Sequence, residues 1–178
     1  MDTGPSDRIL NFGPTCMWWE ITRSTADTGG AYFESVNVVA AGMGGPPVHA
    51  HPTAEESYAV TAGELEVYID GVWRTLKAGE SATVPAGVPH TLRNSSDAEV
   101  RLVNTHKPAM DFERFFRRLH AMIAAGQTSL PPRGLGGLLR IAMLFDEHRQ
   151  EIVSVKPPRA VMHAFAMAGK MLGYKLPM

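Results

Sequence analysis

The chain has 178 residues, 44% of them apolar, and a formal net charge of −1. A chain of this size and composition can bury the core of one ordinary domain, or of one domain with an appendage, which excludes wholesale disorder. Since no basic stripe or arginine-rich run accompanies the near-neutral charge, we expect no nucleic-acid partner.

Three features of the sequence indicate the cellular compartment of the protein. The amino-terminal residues show neither a basic start nor a continuous apolar segment, so we expect no signal peptide. The longest uncharged apolar run, residues 160–169, is far too short to span a bilayer. The single cysteine, Cys16, excludes an internal disulfide and is typical of a reducing cytosol. We therefore predict a cytoplasmic protein.

Short strands dominate the predicted elements of the first 107 residues. A turn-rich lead-in over residues 1–15 precedes a strand at 16–23, a turn at 25–30 and a strand at 31–41. Further strands are predicted at 57–61, 64–70, 72–76, 81–84, 90–93 and 99–105, with Asp70-Gly71 as a tight hairpin turn. Many short strands separated by Gly, Pro and Asp-Gly turns indicate an antiparallel sandwich or barrel.

After Pro108 the spacing of the apolar residues changes from that of strands to that of helices. An amphipathic helix is predicted between an N-cap at Asp111 and a stop at Gly126, a second helix over about 135–149, and a third from Pro158 to near Gly173. We thus expect a mainly β barrel over residues 1–107 and a helical extension over 108–178. The extension could close one mouth of the barrel or pack against a partner subunit. A membrane-surface contact ranks lowest, because the last helix carries few cations.

Two blocks between these elements carry candidate metal ligands. In the first, His49-x-His51 lies on an extended segment, which places both imidazoles on one face, and Glu56 follows after four residues. The second block supplies His90 just beyond a Pro-x-Gly turn. Three imidazoles and one carboxylate form a ligand set suited to a divalent transition metal. Glu55 is the rival carboxylate, and strand alternation places it and Glu56 on opposite faces.

These blocks resemble the two signature motifs of the cupin superfamily. The first is similar to Gly-x5-His-x-His-x3,4-Glu-x6-Gly, ending at Gly63, with Met43 in place of its leading glycine. The motif allows three or four residues before its glutamate, and the six residues before Gly63 favour Glu56 over Glu55. The second motif matches at every defined position from Gly79 to Asn94. The resemblance covers roughly residues 36–106. It implies the double-stranded β-helix (jelly-roll) barrel, and it leaves the last third of the chain unexplained.

The resemblance also implies an activity. It suggests a metal-dependent enzyme acting on a small organic molecule, with His49, His51, Glu56 and His90 on one ion. Fe(II) is our first choice, and Mn, Ni and Zn are the alternatives. The ligand set is similar to that of quercetinase-type cupin dioxygenases, which favours a dioxygenase of an enol, diketone or flavonol. A non-oxidative isomerase, lyase or cyclase and a non-catalytic small-molecule-binding cupin remain alternatives.

Two further expectations concern catalysis and partners. Glu56 is a candidate general base, and Tyr58 shares its strand parity, so the phenol could orient substrate or be a packed aromatic residue. The four histidines outside both motifs, His106 among them, are interpreted as surface or packing residues. If the extension lines the pocket, the substrate is aromatic or otherwise apolar. The resemblance implies a homodimer.

Overall fold

Two antiparallel sheets build the molecule in the computed structural model, which describes residues 5–13 and 15–177. A 3₁₀ helix, Pro5–Arg8, precedes the first strand. The strands are β1 Ile9–Asn11, β2 Met17–Arg23, β3 Phe33–Val39, β4 His49–Ala50, β5 Glu55–Ala62, β6 Glu64–Ile69, β7 Val72–Lys77, β8 Ser81–Val84, β9 His90–Arg93, β10 Val100–Lys107 and β11 Val153–Ser154. The helices are α1 Phe112–Ala124, α2 Gly134–Glu147 and α3 Arg159–Met171.

The two sheets each contribute candidate ligands. One sheet has the order β1-β2-β3-β10-β5-β8 and the other the order β11-β4-β9-β6-β7. In the first, β10 pairs with β5 so that His106 lies opposite Glu56. In the second, β4 pairs with β9 so that His49 lies opposite His90. The jelly-roll arrangement thereby brings residues distant in sequence to one place in the barrel, and the predicted fold class is confirmed.

The β6–β7 hairpin shows how the apolar alternation produces a half-buried strand. Leu65 and Val67 are fully buried, whereas Glu66 between them is half-buried. Asp70 and Gly71 form the predicted tight turn, both with positive φ, at 47° and 90°. Gly63 also has positive φ, and a Cβ there would lie 3.0 Å from the carbonyl oxygen of Glu99. The turn and the close approach therefore favour glycine at both positions.

The amino-terminal and carboxyl-terminal segments differ from the prediction. The expected loose lead-in over residues 1–15 is wrong where it is described, because β1 pairs with β2 there; residues 1–4 and 14 lie outside the described residues. Strand β11, which pairs with β4, was also not predicted. Such short strands carry too few residues for alternation to be visible, and pairing with a neighbouring strand defines them.

The three helices follow the predicted positions closely. Asp111 precedes α1 but makes no side-chain capping bond, and Gly126, with φ of 66°, follows its end. Helices α2 and α3 pack closely at Gly169, where a Cβ would lie 2.7 Å from the sulfur of Met143. Within the described ranges, none of the helices is long and apolar enough to cross a membrane.

Candidate metal centre

Four buried side chains converge where β4, β5 and β9 meet. His49 begins β4, His51 directly follows it, Glu56 lies on β5 and His90 begins β9. One ligand atom from each of these residues can be chosen so that all four lie within 4.8 Å of one another. The structure therefore brings together all four residues that the sequence proposed as ligands, including the carboxylate.

Each of the three imidazoles is held at Nδ1 by a backbone carbonyl. Because a carbonyl oxygen can only accept, each Nδ1 must donate, and Nε2 is left to face the cluster. This arrangement fixes both the tautomer and the ring orientation, as the outer hydrogen bonds of metal-binding histidines do. The bonds run from His49 to Pro47 at 2.9 Å, from His51 to Glu151 at 2.7 Å, and from His90 to Val88 at 2.8 Å.

The Glu56 carboxylate lies at the centre of the cluster. Its Oε2 lies 3.0 Å from Nε2 of His51 and 2.8 Å from Nε2 of His90. Its Oε1 accepts a hydrogen bond of 2.8 Å from Nδ2 of Asn104, and Nε2 of His106 lies 3.3 Å away. The two oxygens thus face different partners: Oε2 the candidate ligands, and Oε1 two residues of β10.

Burial and neighbouring charge act in opposite directions on these groups. Burial alone would raise the pKa of Glu56, but electrostatic attraction to His106 and the hydrogen bonds of His51 and His90 hold it well below its ordinary value. Burial, followed by repulsion from His90 and His51, lowers the pKa of His49 well below its usual range. Although burial acts to lower the pKa of His90, its hydrogen bond and attraction to Glu56 raise it.

This donor set fits a divalent transition metal ion. If His51 and His90 are neutral, their Nε2 lone pairs face an anionic oxygen of Glu56, which is repulsive unless a cation lies between them. Three imidazole nitrogens and one carboxylate oxygen are suitable donors for iron, nickel, copper, zinc or manganese. The buried cluster therefore has both the chemistry and the spacing to hold one ion.

The neighbours of Glu56 on β5 follow the expected alternation. Glu55 is exposed and Glu56 is buried, which favours Glu56 as the carboxylate facing the cluster. Tyr58 is 1% exposed, and burial, followed by the charge and hydrogen bonding of Glu56, raises its pKa well above the ordinary value. Its phenol is consequently protonated at neutral pH and can act as a hydrogen-bond donor.

Sequence reasoning missed two residues of β10. Asn104 and His106 are 1% exposed and both contact Glu56, whereas His106 was expected only to pack or to lie at the surface. Neither ring nitrogen of His106 has a hydrogen-bond partner among the described residues, since its approach to Glu56 lacks hydrogen-bond geometry. The missed signal was the alternation of β10, in which Val100, Leu102, Asn104 and His106 are all buried.

Phenylalanine rings of α1 cover this cluster from one side. Phe112, at the start of α1, is 0% exposed; its ring centroid lies 4.9 Å from that of His51 and 4.2 Å from that of His106. The ring of Phe116, one turn further along, lies 5.6 Å from that of His106. The cluster therefore combines a polar centre with an aromatic wall supplied by the carboxyl-terminal segment.

The fold is a jelly-roll barrel, and both of its sheets contribute to a buried cluster of three histidines and one glutamate. These two features define a class of small barrel proteins with an internal site of the metal-binding kind. The chain thus contains a stretch, residues 36–106, that matches the family model described as a cupin domain. The matched range contains all four candidate ligands and His106, but not the helices.

Three curated relatives are similar to part of this chain. Protein SchB of Streptomyces halstedii is 46% identical over 55 residues, 31% of this chain and 40% of that protein. Quercetin 2,3-dioxygenase of Bacillus subtilis is 39% identical over 83 residues, 46% of this chain and 23% of that protein. Polyketide synthase CurC of Streptomyces cyaneus is 40% identical over 55 residues, 31% of this chain and 36% of that protein. The matches thus span less than half of each relative.

Among solved structures, the RmlC-like cupin of Shewanella frigidimarina is similar, with a TM-score of 0.50 and 24% identity. The similarity covers 64% of this chain and 94% of that one. At this level of identity the likeness supports the fold alone.

Proposed function

We propose that the chain is a metal-dependent enzyme acting on a small organic molecule, and that its reaction is the dioxygenation of an enol, diketone or flavonol. The observation that carries this proposal is the convergence of His49, His51, Glu56 and His90 within 4.8 Å, in a chain that is 39% identical to a quercetin 2,3-dioxygenase over 83 residues. The reaction type rests on that partial likeness and on the donor set.

The four residues would hold one ion, with Fe(II) as the first choice and Mn, Ni or Zn as alternatives. Such an ion, when bound, supplies Lewis-acid activation of an enol oxygen and, if it is redox-active, a route for electrons to O2. The protein supplies the geometry, because the carbonyls at Pro47, Glu151 and Val88 fix the three rings.

Two side chains are suited to handle the substrate's hydroxyl proton. Glu56 is the proposed acceptor of this proton, because it is the carboxylate of the cluster. Its two oxygens have separate partners, so one can face the ligands while the other is held by Asn104. Tyr58 can only donate near neutral pH, since its pKa is raised by burial and by Glu56. We therefore assign to Tyr58 the orientation of Glu56 or of substrate, and not proton abstraction.

The surroundings favour an aromatic or otherwise apolar substrate. Phe112 and Phe116 lie against the histidines, and rings in these positions can pack against a flat apolar molecule. They also exclude water, which strengthens every electrostatic interaction at the site. An enolised polyphenol or poly-carbonyl compound combines the chelating oxygens with the apolar body that such a site requires.

One finding favours a second candidate. A relative named as a polyketide synthase matches 55 residues of this chain, which supports poly-carbonyl substrates whose rearrangement needs no oxygen. A metal-dependent isomerase, lyase or cyclase would use the same ligands with Glu56 as base. A non-catalytic binding cupin is the third candidate, in which the cluster holds a ligand without turnover.

Metal analysis and oxygen uptake discriminate among these candidates. Protein purified without chelators is expected to hold about one equivalent of transition metal per chain, and to consume O2 with a member of a panel of flavonols, diketones and catechols. Metal without O2 uptake, but with anaerobic conversion of a panel compound, would favour the non-oxidative enzyme. If the protein holds metal and binds a panel compound but forms no product, the non-catalytic binding protein is favoured.

Glu56→Gln and Glu55→Gln form a matched pair for the same assay. The first change removes a buried carboxylate from the cluster, whereas the second removes an exposed one on the adjacent strand position. We expect Glu56→Gln to lose metal and turnover and Glu55→Gln to keep both. The reverse outcome would transfer the ligand role to Glu55.

We propose a homodimer as the assembly and the cytoplasm as the location. The exposed apolar side chains of Met167 and Met171 on α3 and of neighbouring Leu172 support an association surface, and the free Cys16 is compatible with a reducing compartment. Light scattering and cell fractionation test these two points.

We also propose a barrel over residues 1–107 with a separate helical extension over 108–178, tested by limited proteolysis.

A further inference from the structure

Only one of the three candidate histidine ligands donates its outer hydrogen bond to the carboxyl-terminal extension. The carbonyls that hold His49 and His90 belong to residues two positions before them in the chain. The carbonyl that holds His51 belongs to Glu151, 100 residues away and outside the matched cupin range. At 2.7 Å this is the shortest of the three Nδ1 hydrogen bonds.

The chain around Glu151 is fixed by contacts on both sides. The backbone N–H groups of Glu151 and Ile152 both donate to the carbonyl of His148, at 3.0 and 2.9 Å. Directly afterwards, β11 pairs with β4, the strand that carries His49. The N–H of Val155 continues this attachment by donating to Val48 at 2.9 Å.

The side chain of Ile152 adds an apolar anchor. It is 6% exposed and belongs to the core of the molecule. Since Ile152 follows Glu151 directly, any movement of its backbone redirects the Glu151 carbonyl. The direction of that carbonyl therefore depends on packing within the extension and on the β11–β4 pair.

We propose that residues 148–155, defined as the 148–155 strap, are a structural part of the metal centre. In this proposal the backbone carbonyl of Glu151 is the positioning group for His51, fixing its tautomer and ring orientation for metal binding. The proposal rests on the proposed function, since it assumes that the cluster binds a metal ion.

Two consequences follow from this hydrogen bond. Loss of an outer partner of a metal-binding histidine typically weakens metal affinity about 10–100-fold. Coupling between two binding equilibria is reciprocal, so metal binding must stabilise the strap by as much as the strap stabilises the bound metal. A segment outside the cupin range would then determine how firmly the barrel holds its ion.

Ile152→Ala and Leu139→Ala form the matched pair that tests the first consequence. Both remove a buried aliphatic side chain from the extension, but Leu139 lies in the α2–α3 contact near Gly169. The measurement is Zn²⁺ affinity by titration calorimetry, with the thermal midpoint of each apo protein measured alongside. We expect a loss of affinity of about tenfold or more for Ile152→Ala and a change of less than about twofold for Leu139→Ala.

Equal Zn²⁺ affinities in Ile152→Ala and Leu139→Ala would overturn the proposal.

Hydrogen exchange of the wild-type chain tests the second consequence without any substitution. Addition of Zn²⁺ should slow exchange of the amides in the strap as well as in peptides containing His49, His51 and His90. Protection confined to the barrel peptides would contradict the role of the strap while leaving the metal centre intact. Failure of the wild-type protein to bind Zn²⁺, Mn²⁺, Ni²⁺ or Fe²⁺ would overturn the proposed function and the strap proposal together.

Discussion

Replacement of Phe112 by alanine should destabilise the fold and expose the metal centre at the same time. Phe112 is 0% exposed, and its ring lies against His51 and His106. Removing a fully buried phenyl group loses its transfer free energy and leaves a cavity that the neighbours fill only in part. The expected decrease in the free energy of unfolding is about 3–5 kcal/mol. For a chain of this length, that corresponds to a decrease in the thermal midpoint on the order of 10 °C.

Two assays measure these effects separately. Urea unfolding of the apo protein gives the change in stability, and competition with a chelator gives the rate of Zn²⁺ release. Release should be faster in Phe112→Ala, because the ring no longer covers His51. The control is Phe165→Ala on α3, a half-buried phenylalanine, which should cost less stability and leave the release rate unchanged. Equal release rates in both variants would refute the covering role of Phe112.

The remaining predictions concern the ligands and the helical extension. His51→Ala should abolish metal binding while keeping the far-ultraviolet circular dichroism of the barrel, because it removes one ligand and no backbone bond within a strand; retained stoichiometric metal would contradict the ligand assignment. Tyr58→Phe should leave the metal content unchanged, as measured by elemental analysis, since the phenol is not a proposed ligand. Burial acts to raise the pKa of Asp146, but hydrogen bonds from His163 and Lys170 hold it below the ordinary value. The stability that this carboxylate contributes is therefore present above its unfolded pKa, near 3.8, and lost as the pH falls through the lower folded value. Asp146→Asn should thus lower stability at pH 7 by about 1 kcal/mol or less and have no effect once the wild-type carboxyl is protonated, as followed by urea unfolding across pH.

The strand and helix patterns were predictable because each has a local cause, as when the change to a helical period located α1. The ligands were predictable because their spacing resembles two known motifs, in which the distance to Gly63 favoured Glu56 over Glu55. The same rule applied to β10 would have placed His106 inside the barrel, had the predicted strand extended one residue beyond Thr105. Its contact with Glu56 depends on the pairing of β10 with β5, which sequence alternation alone does not specify.

The hydrogen bond from His51 to Glu151 could not be predicted from sequence. A backbone carbonyl is present at every residue, so no residue type marks the one that will face an imidazole 100 positions away. The pairing of β11 with β4 is equally unpredictable from sequence, because a two-residue strand is too short to show an alternation of apolar residues. Both depend on how the extension packs on the barrel, which is determined by many contacts together.

The pKa of Glu56 bears on whether this residue acts as ligand, as base or as both. A general base is most effective when its pKa is near the working pH, yet His106, His51 and His90 together hold this carboxylate well below its ordinary value despite burial. A permanently ionised carboxylate suits a metal ligand better than a base. When a metal occupies the Nε2 lone pairs of His51 and His90, however, those nitrogens can no longer donate to Glu56. Two of the hydrogen bonds that weaken Glu56 as a base are then lost, while the contacts of its other oxygen with Asn104 and His106 need not change. A bound cation would itself hold the pKa of Glu56 low, however, so the ligand role comes first, and proton transfer by Glu56 would require its carboxylate to leave the ion.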